Sequence, residues 1–370
     1  MKIGIDARLL STPIRGTARY LSNIIKYLPE FDQRNKYYIF QYENLPREDN
    51  FYTYITIKRS KLPRQIFEHY WLNFILPKKI LELGIDLFFT PYIFVPLRKR
   101  NWKNLIVIHD SLTKICKKHY TFHYRKYLDL LVPPSIKRSD AIVTVSNSAL
   151  QDILHYYDVQ IGKIQYMHLW TDKKYKQVNI TEKEISELKE KYNLPEKYIL
   201  FVGVLEERKN INGIITISDI LFNRGIDIPF VLVGRKGYGF NKIFRKLKKR
   251  EGRIRHIQYV DDNDLVLLYN LATIFIFPSH YEGFGLPPLE AMKCGLPVIA
   301  SNNSSLPEVI GKGGLLGNAN DYEFFVDNII KLLNDRIFYS QMKSKALKQA
   351  IKFTPENHVT KLVNIFNSLK

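Results

Sequence analysis

Short apolar runs of strand length alternate along this chain with longer stretches in which apolar residues return every three or four positions. Residues 3–6, 37–41, 85–89, 105–108 and 141–145 read as buried strands. Between them, Leu21, Ile24, Ile25 and Leu28 return at helical spacing ahead of Pro29, and further helices are predicted at about 64–82, 124–138 and 147–156. The second half repeats this plan without repeating the sequence, with strands predicted at 198–204, 230–233, 254–259, 274–277 and 298–300. Strands alternating with helices imply parallel sheets covered on both faces. The pattern therefore predicts an α/β protein of two lobes, 1–168 and 196–353. A polar linker over 169–195, carrying its own helix at 182–192, joins them. Residues 354–370 read as a last helix with Val359, Leu362, Val363 and Phe366 on one side.

Composition adds little until charge is considered. A chain of 370 residues with 45% apolar content suits two soluble domains. No apolar run approaches the roughly 20 residues of a spanning helix, and Asp6 and Arg8 interrupt any secretory leader, so a cytoplasmic protein is expected. Cys116 and Cys294 are too few and too far apart for a disulfide framework and are expected as free thiols. The formal net charge is +20, and residues 1–170 hold 26 Lys and Arg against 14 Asp and Glu. Such a field favours nucleic acid, anionic lipid or a phosphorylated substrate without choosing among them. Residues 58–79 interleave cations with Ile66, Phe67, Tyr70, Trp71, Phe74 and Ile75, and the loop 98–103 adds Trp102. Cations with aromatic wedges suit an anionic membrane surface, a core helix with solvated ends being the alternative for the apolar face.

The candidate chemistry centres on residues 272–301, ATIFIFPSHYEGFGLPPLEAMKCGLPVIAS. This reads as strand, glycine-bearing loop, short helix opened by Pro287 and closed by Gly295 and Pro297, then strand. Glu282 falls in the loop and Glu290 in the helix's first turn. Gly283 and Gly285 let backbone amides approach an anion, and the helix start adds unpaired donors and a positive dipole end. The loop thus suits a phosphate with hydroxyls beside it. Glu206-Glu207-Arg208-Lys209-Asn210 follows another strand end, where Arg208 can fork onto a diphosphate and Lys209 can add a point charge. A salt bridge to Glu206 or Glu207 is the alternative.

His109 follows the run 105–108 at a strand's carboxyl end, where open α/β sheets place ligands; a packed histidine is the alternative. A triad with Asp110 and Ser111 fails, because adjacent side chains on a strand end point different ways. Cys116, His119 and His123 have metal-like spacing but sit among Lys114, Lys117, Lys118, Arg125 and Lys126, with no fourth ligand near in sequence. Asp262 and Asp264 resemble a carboxylate pair for a divalent ion, yet read better as the acidic cap of a helix carrying Leu265, Leu268 and Tyr269. No metal is expected.

Together these segments resemble the retaining, GT-B-fold glycosyltransferases of family 4. The likeness rests on GIDARLL and RGTARYL near the start, VIHD at 107–110, SDAIVTVSNSA at 139–149, FVGVLEERKNI at 201–211, VGRKG at 233–237 and PSHYEGFGLPPLEAMKCGLPVIAS at 278–301. It implies two Rossmann-like parallel-sheet lobes facing across a cleft. The C-terminal lobe would hold a nucleotide-sugar donor, GDP- or UDP-linked, and the N-terminal lobe an acceptor. On this resemblance Glu290 accepts hydrogen bonds from the ribose, Glu282 lies near the donor sugar, and Gly283, Phe284, Gly285 and Leu286 surround sugar and phosphate. Arg208 and Lys209 grip the diphosphate, with Gly16 beside it. Val260 contacts the base through its backbone, and His109 sits by the reacting sugar.

Two departures from the family pattern stand out: Ala18 in place of a second glycine, whose methyl narrows the phosphate approach and weakens the case for a direct Gly16 contact, and Val204 in place of an arginine, which places more weight on Arg208. The resemblance further implies hexosyl transfer, mannose being the expected sugar, without cofactor or metal. The expected acceptor is lipid-linked and the pathway that of a bacterial surface polysaccharide or lipopolysaccharide, built on the inner face of the cytoplasmic membrane. A soluble acceptor and a sugar-nucleotide epimerase of the same fold are the rivals. A nucleic-acid partner is not expected, because glutamates would line its phosphate groove.

Overall fold

Strands form where apolar runs are buried on both faces, and the helices between them bury one stripe each. The structure, a computed structural model, describes residues 1–370 except 12–15, 43–49, Arg59, Leu62 and 98–100; the side chains of Arg64 and Gln65 are likewise outside it. Contacts divide the chain into two units, Met1–Leu169 with Thr354–Lys370, and Trp170–Phe353.

Unit 1 runs through β1 (Lys2–Asp6), α1 (Gly16–Phe31), β2 (Lys36–Tyr42), β3 (Tyr52–Ile57), α2 (Arg64–Tyr70), a π turn at Trp71–Ile75, and α3 (Leu76–Leu83). It continues with β4 (Leu87–Thr90), β5 (Lys103–Val107), α4 (Leu112–Ile115), α5 (Phe122–Arg138), β6 (Ala141–Thr144), α6 (Asn147–Tyr156) and β7 (Ile164–Tyr166). Its seven-stranded sheet has the order β3-β2-β1-β4-β5-β6-β7 with parallel pairing throughout.

Unit 2 begins with α7 (Glu182–Tyr192), β8 (Ile199–Val202), α8 (Ile211–Asn223), β9 (Phe230–Val233), α9 (Phe240–Lys248), β10 (Ile254–Ile257) and α10 (Asp262–Leu271). Then follow β11 (Ile274–Phe277), α11 (Leu286–Lys293), β12 (Val298–Ser301), α12 (Leu306–Ile310), β13 (Leu315–Gly317), α13 (Tyr322–Asn334) and α14 (Arg336–Ala350). Its six-stranded parallel sheet is ordered β10-β9-β8-β11-β12-β13. Both sheets reverse direction of winding beside their first strand, giving switch points between β1 and β4 and between β8 and β11.

The strands that the apolar pattern does not predict, β3, β7 and β13, all lie at sheet edges. Each leaves part of its surface to solvent, so none carries a continuous apolar run. Pro29, expected to end the first helix, lies inside α1, which continues to Phe31. The proline cannot donate to the Ile25 carbonyl one turn back, and the Tyr52 hydroxyl supplies that bond at 2.6 Å. Among the expected membrane wedges, Phe67, Trp71 and Trp102 are core residues. Trp102 Nε1 donates to Asn104 Oδ1 at 3.1 Å. Ile66, Tyr70 and Phe74 are exposed instead, spaced by four, with the Tyr70 and Phe74 rings stacked. Arg59 and 98–100, part of that basic segment, lie outside the described residues. Among the described residues no helix is long and apolar enough to cross a membrane.

Residues 170–195 pack with unit 2. Val178 N–H donates to Asn270 Oδ1 at 3.1 Å, Lys174 pairs with Asp262 at 2.8 Å, and Thr181 and Glu184 form a capping box that starts α7. The last helix, α15 (Pro355–Ser368), returns to unit 1 and buries Val359, Leu362, Val363 and Phe366. The Phe366 ring meets Phe89 of β4 edge-on at 5.5 Å and lies 6.3 Å from Tyr37 of β2. Phe366→Ala is expected to destabilise unit 1 by about 3–5 kcal/mol through lost burial and an unfilled cavity, read by urea denaturation.

Candidate active site

The residues expected to handle the diphosphate meet at the switch point of unit 2. Behind β8 the chain turns through Glu206, Arg208 and Lys209 and enters α8; behind β11 it forms the loop from Pro278 to Gly285. Lys209 Nζ stands 2.6 Å from Glu282 Oε1, and Arg208 Nη1 stands 3.2 Å from Glu282 Oε2. Arg208 also donates to Glu206 Oε1 from Nε at 3.0 Å and Nη2 at 2.6 Å, and from Nη1 to the Tyr281 carbonyl at 2.6 Å. The salt bridge to Glu206 considered from the sequence is thus present, alongside one to Glu282. His280 N–H donates to the Arg208 carbonyl at 2.9 Å, tying the two turns by their backbones.

Local sequence explains this placement. Asn210 takes a left-handed conformation, φ 55°, and caps α8 by accepting from Gly213 N–H at 3.0 Å, so the cations end the turn and the helix starts at once. The glycines after β8 and β9 pass so closely that a Cβ on Gly234 would lie 1.9 Å from the Gly203 carbonyl oxygen. Only glycine at 234 permits that approach.

The glutamate loop is held by serines that sequence reasoning missed. Ser305 Oγ donates to the carbonyls of Glu282 at 2.9 Å and Phe284 at 2.6 Å, while Ser304 Oγ accepts from Glu282 N–H at 2.9 Å. The run Ser301-Asn302-Asn303-Ser304-Ser305 just behind β12 was the available signal. Gly285, φ 113°, then opens α11, with Leu286 as its first residue and Pro287 as its second. Glu290 is therefore the fifth helical residue, beyond the first turn expected for it. It is 1% exposed, and its Oε2 accepts from the Tyr269 hydroxyl at 2.9 Å. Val260, 7% exposed, lies between β10 and α10, next to the exposed Tyr259. Asp261 holds the N-cap position of α10, but its carboxylate and that of Asp264 bind Lys191, and Asp262 binds Lys174. These acids thus balance lysines at a helix start. Among the described residues no group of three or more His, Cys, Asp or Glu gathers to hold a metal ion, the Cys116, His119 and His123 segment included.

In unit 1, Gly16 is the first residue of α1, and an added Cβ there would meet nothing within 4 Å. His109 lies past the end of β5, its Nε2 3.3 Å from the Pro91 carbonyl behind β4. Tyr20, one turn into α1, sets its ring perpendicular to the His109 ring, centroids 5.2 Å apart. Arg8, also not singled out from sequence, doubly bonds Asp6 and lies 3.8 Å over the Trp71 ring.

Residues 182–349 match the family described as Glycosyl transferases group 1, and residues 14–174 match Glycosyltransferase Family 4. An O-antigen chain mannosyltransferase B of Escherichia coli is 31% identical over 283 residues, which are 75% of this chain and 73% of that protein. The chain belongs to the family 4 glycosyltransferases. A serotype-specific mannosyltransferase WbdA of Escherichia coli is 33% identical over 271 residues, 71% of this chain, and the chain spans about a third of that longer protein, 33%. The fold of sucrose-phosphate synthase from Thermosynechococcus elongatus matches 100% of this chain and 98% of its own, with TM-score 0.78 at 18% identity.

For a family 4 glycosyltransferase the electrostatics of this site matter as much as its shape. Burial alone would raise the Glu282 carboxyl, but Lys209 and Arg208 outweigh it and hold the group below its ordinary range, so it is ionised at neutral pH. Burial draws the Lys209 ammonium below the usual lysine value, and Glu282 opposes that shift. Burial also takes His109 down to about 4, so its imidazole is neutral at pH 7. The charges at 209 and 282 thus depend on each other, and both feel the fixed charge of Arg208. Lys209→Met alone is expected to cost about 3–5 kcal/mol by leaving Glu282 short of a partner, whereas Lys209→Met with Glu282→Leu recovers most of the loss. Urea unfolding of the two variants measures the difference; equal losses would contradict the coupling.

Proposed function

We propose that this protein transfers a hexose, mannose as the first candidate, from a GDP- or UDP-linked donor to a lipid-linked saccharide, with retention of anomeric configuration. The observation that carries the reading is the convergence of Arg208 and Lys209 on Glu282 at the unit 2 switch point, in the loop that leads into the amino end of α11. Two cations and a helix N-terminus at one strand-end crevice match the charge that a departing nucleoside diphosphate develops. The acceptor oxygen forms its bond to the anomeric carbon on the face from which the diphosphate leaves, the bond from that carbon to the diphosphate oxygen breaks, and the acceptor's hydroxyl proton passes to the diphosphate. Arg208 and Lys209 stabilise that leaving charge without a metal ion or other cofactor. Glu290 reads the ribose hydroxyls, Glu282 the donor sugar, and Val260 the base through its backbone. Gly283, Phe284, Gly285 and Leu286 line the phosphate approach. In unit 1, Gly16 and the neutral His109 complete the set, His109 by accepting a hydrogen bond from the sugar.

The mannosyltransferase relatives support the sugar and a role in surface polysaccharide or lipopolysaccharide synthesis. Turnover with a set of nucleotide sugars and saccharide acceptors tests the reading. Arg208→Ala and Lys209→Ala are each expected to lower kcat by about 10²–10³. Glu290→Ala is expected chiefly to weaken nucleotide binding and Glu282→Ala chiefly to lower transfer; equal losses of nucleotide affinity would undo that division. Epimerised donor with no sugar on the acceptor would identify an epimerase instead.

A membrane-bound acceptor is favoured by the exposed ridge of Ile66, Tyr70 and Phe74, which lies between the exposed cations Lys58, Lys61, Lys78 and Lys79. Exposed apolar side chains flanked along the chain by exposed lysines suit an anionic lipid surface on the cytoplasmic side. Flotation with vesicles is expected at low salt when anionic lipid is present and is lost in a Tyr70→Ser, Phe74→Ser variant. No flotation of the unmodified protein at low salt would refute it.

A further inference from the structure

His109 is reached from the far end of the sequence by a buried chain of hydrogen bonds and a ring contact within unit 1. His358, the fourth residue of α15, is 1% exposed. Its Nδ1 lies 2.9 Å from the His168 carbonyl, which can only accept, so Nδ1 carries the proton. Burial takes His358 down to about 4 and keeps it neutral. Nε2 is then a bare acceptor, and the Tyr20 hydroxyl at 3.1 Å donates to it. Tyr20 is itself 3% exposed, with its ring perpendicular or nearly so to both imidazoles, 5.2 Å from His109 and 5.4 Å from His358. Among the described residues, the hydrogen bond of His109 Nε2 goes to the Pro91 carbonyl and is long at 3.3 Å. A histidine's second side-chain torsion is broad, so so long a bond leaves the ring plane to be set by what packs against it. Tyr20 packs edge-on against it, and the hydroxyl of Tyr20 is held by His358.

We propose that His358 is a positioning residue for His109, acting through Tyr20. The inference rests on the reading of His109 as a group beside the donor sugar. With Nε2–H directed at Pro91, His109 presents Nδ1 as its acceptor, and an acceptor helps a sugar hydroxyl only in a narrow range of angles. Burial of His358 by α15 is thereby put to use at the carboxyl ends of β4 and β5.

The test is transfer kinetics of His358→Phe, His358→Gln and Tyr20→Phe, each also made in a His109→Ala background. His358→Phe is expected to lower kcat about tenfold with donor KM nearly unchanged, a loss on the scale of a small misplacement of a reacting group. His358→Gln, whose amide can accept from Tyr20 and donate to His168, regains most of it, and Tyr20→Phe, which removes a single oxygen, shares the loss. In the His109→Ala background none of the three lowers kcat further. A loss of equal size with and without His109 would overturn the proposal, as would an unchanged kcat in His358→Phe and Tyr20→Phe. Imidazole resonances of His109 recorded by NMR are expected to shift in Tyr20→Phe, and unshifted resonances would also overturn it. His109→Ala alone separates the two claims: normal turnover there refutes the reading of His109 itself, whereas impaired turnover there with normal turnover in the His358 variants refutes only the relay.

Discussion

A charged lysine residue that is 7% exposed is tolerable only because a carboxylate stands against it. Removing a charge from water costs several kcal/mol, so the Lys209 and Glu282 side chains must arrive together. They come from turns 73 residues apart in sequence and adjacent in the sheet. Much of the local design of unit 2 follows from that requirement. Asn210 stops the first turn immediately after the lysine, and Ser304 and Ser305 fasten the second around the glutamate. The backbone bond between His280 and Arg208 keeps the turns in step.

Unit 1 uses the corresponding place in its sheet with the opposite electrostatics. Behind β1, β4 and β5 stand Tyr20, Pro91 and His109, linked by neutral hydrogen bonds and ring contacts, while the Arg8–Asp6 ion pair closes the end of β1. Neutrality there follows from burial, which holds both His109 and His358 near 4. The two parallel sheets share a winding order, and the difference lies in the few residues after each central strand.

Central strands were legible because both faces are buried and the residues read as unbroken apolar runs. Edge strands were not, since Thr53 and Thr56 on β3 and Gln165 on β7 interrupt the pattern where the sheet meets solvent. The break expected at Pro29 failed because its remedy, the Tyr52 hydroxyl, comes from another element. At the candidate site, Arg208, Lys209, Glu282 and Glu290 were readable as types at strand ends and helix starts. The pairing of Arg208 with Glu206 was readable only as an alternative and the pairing with Glu282 not at all, while the Ser304 and Ser305 staples left only an unassigned polar run behind β12, because serine side chains bonding backbone groups leave no periodic trace. His358 was invisible for a different reason: its partner Tyr20 lies 338 residues away.

The return of α15 to unit 1 bears on how the chain acquires its structure. Unit 2 is one continuous stretch, Trp170–Phe353, and every strand of its sheet is present once that stretch has emerged from the ribosome. Unit 1 starts first and waits longest, for Phe89 and Tyr37 have no Phe366 to cover them until about 200 residues beyond Leu169 have been joined, tens of seconds at ordinary elongation rates. The lobe begun first is the lobe finished last, and during that interval its uncovered apolar surface is a natural client for a chaperone.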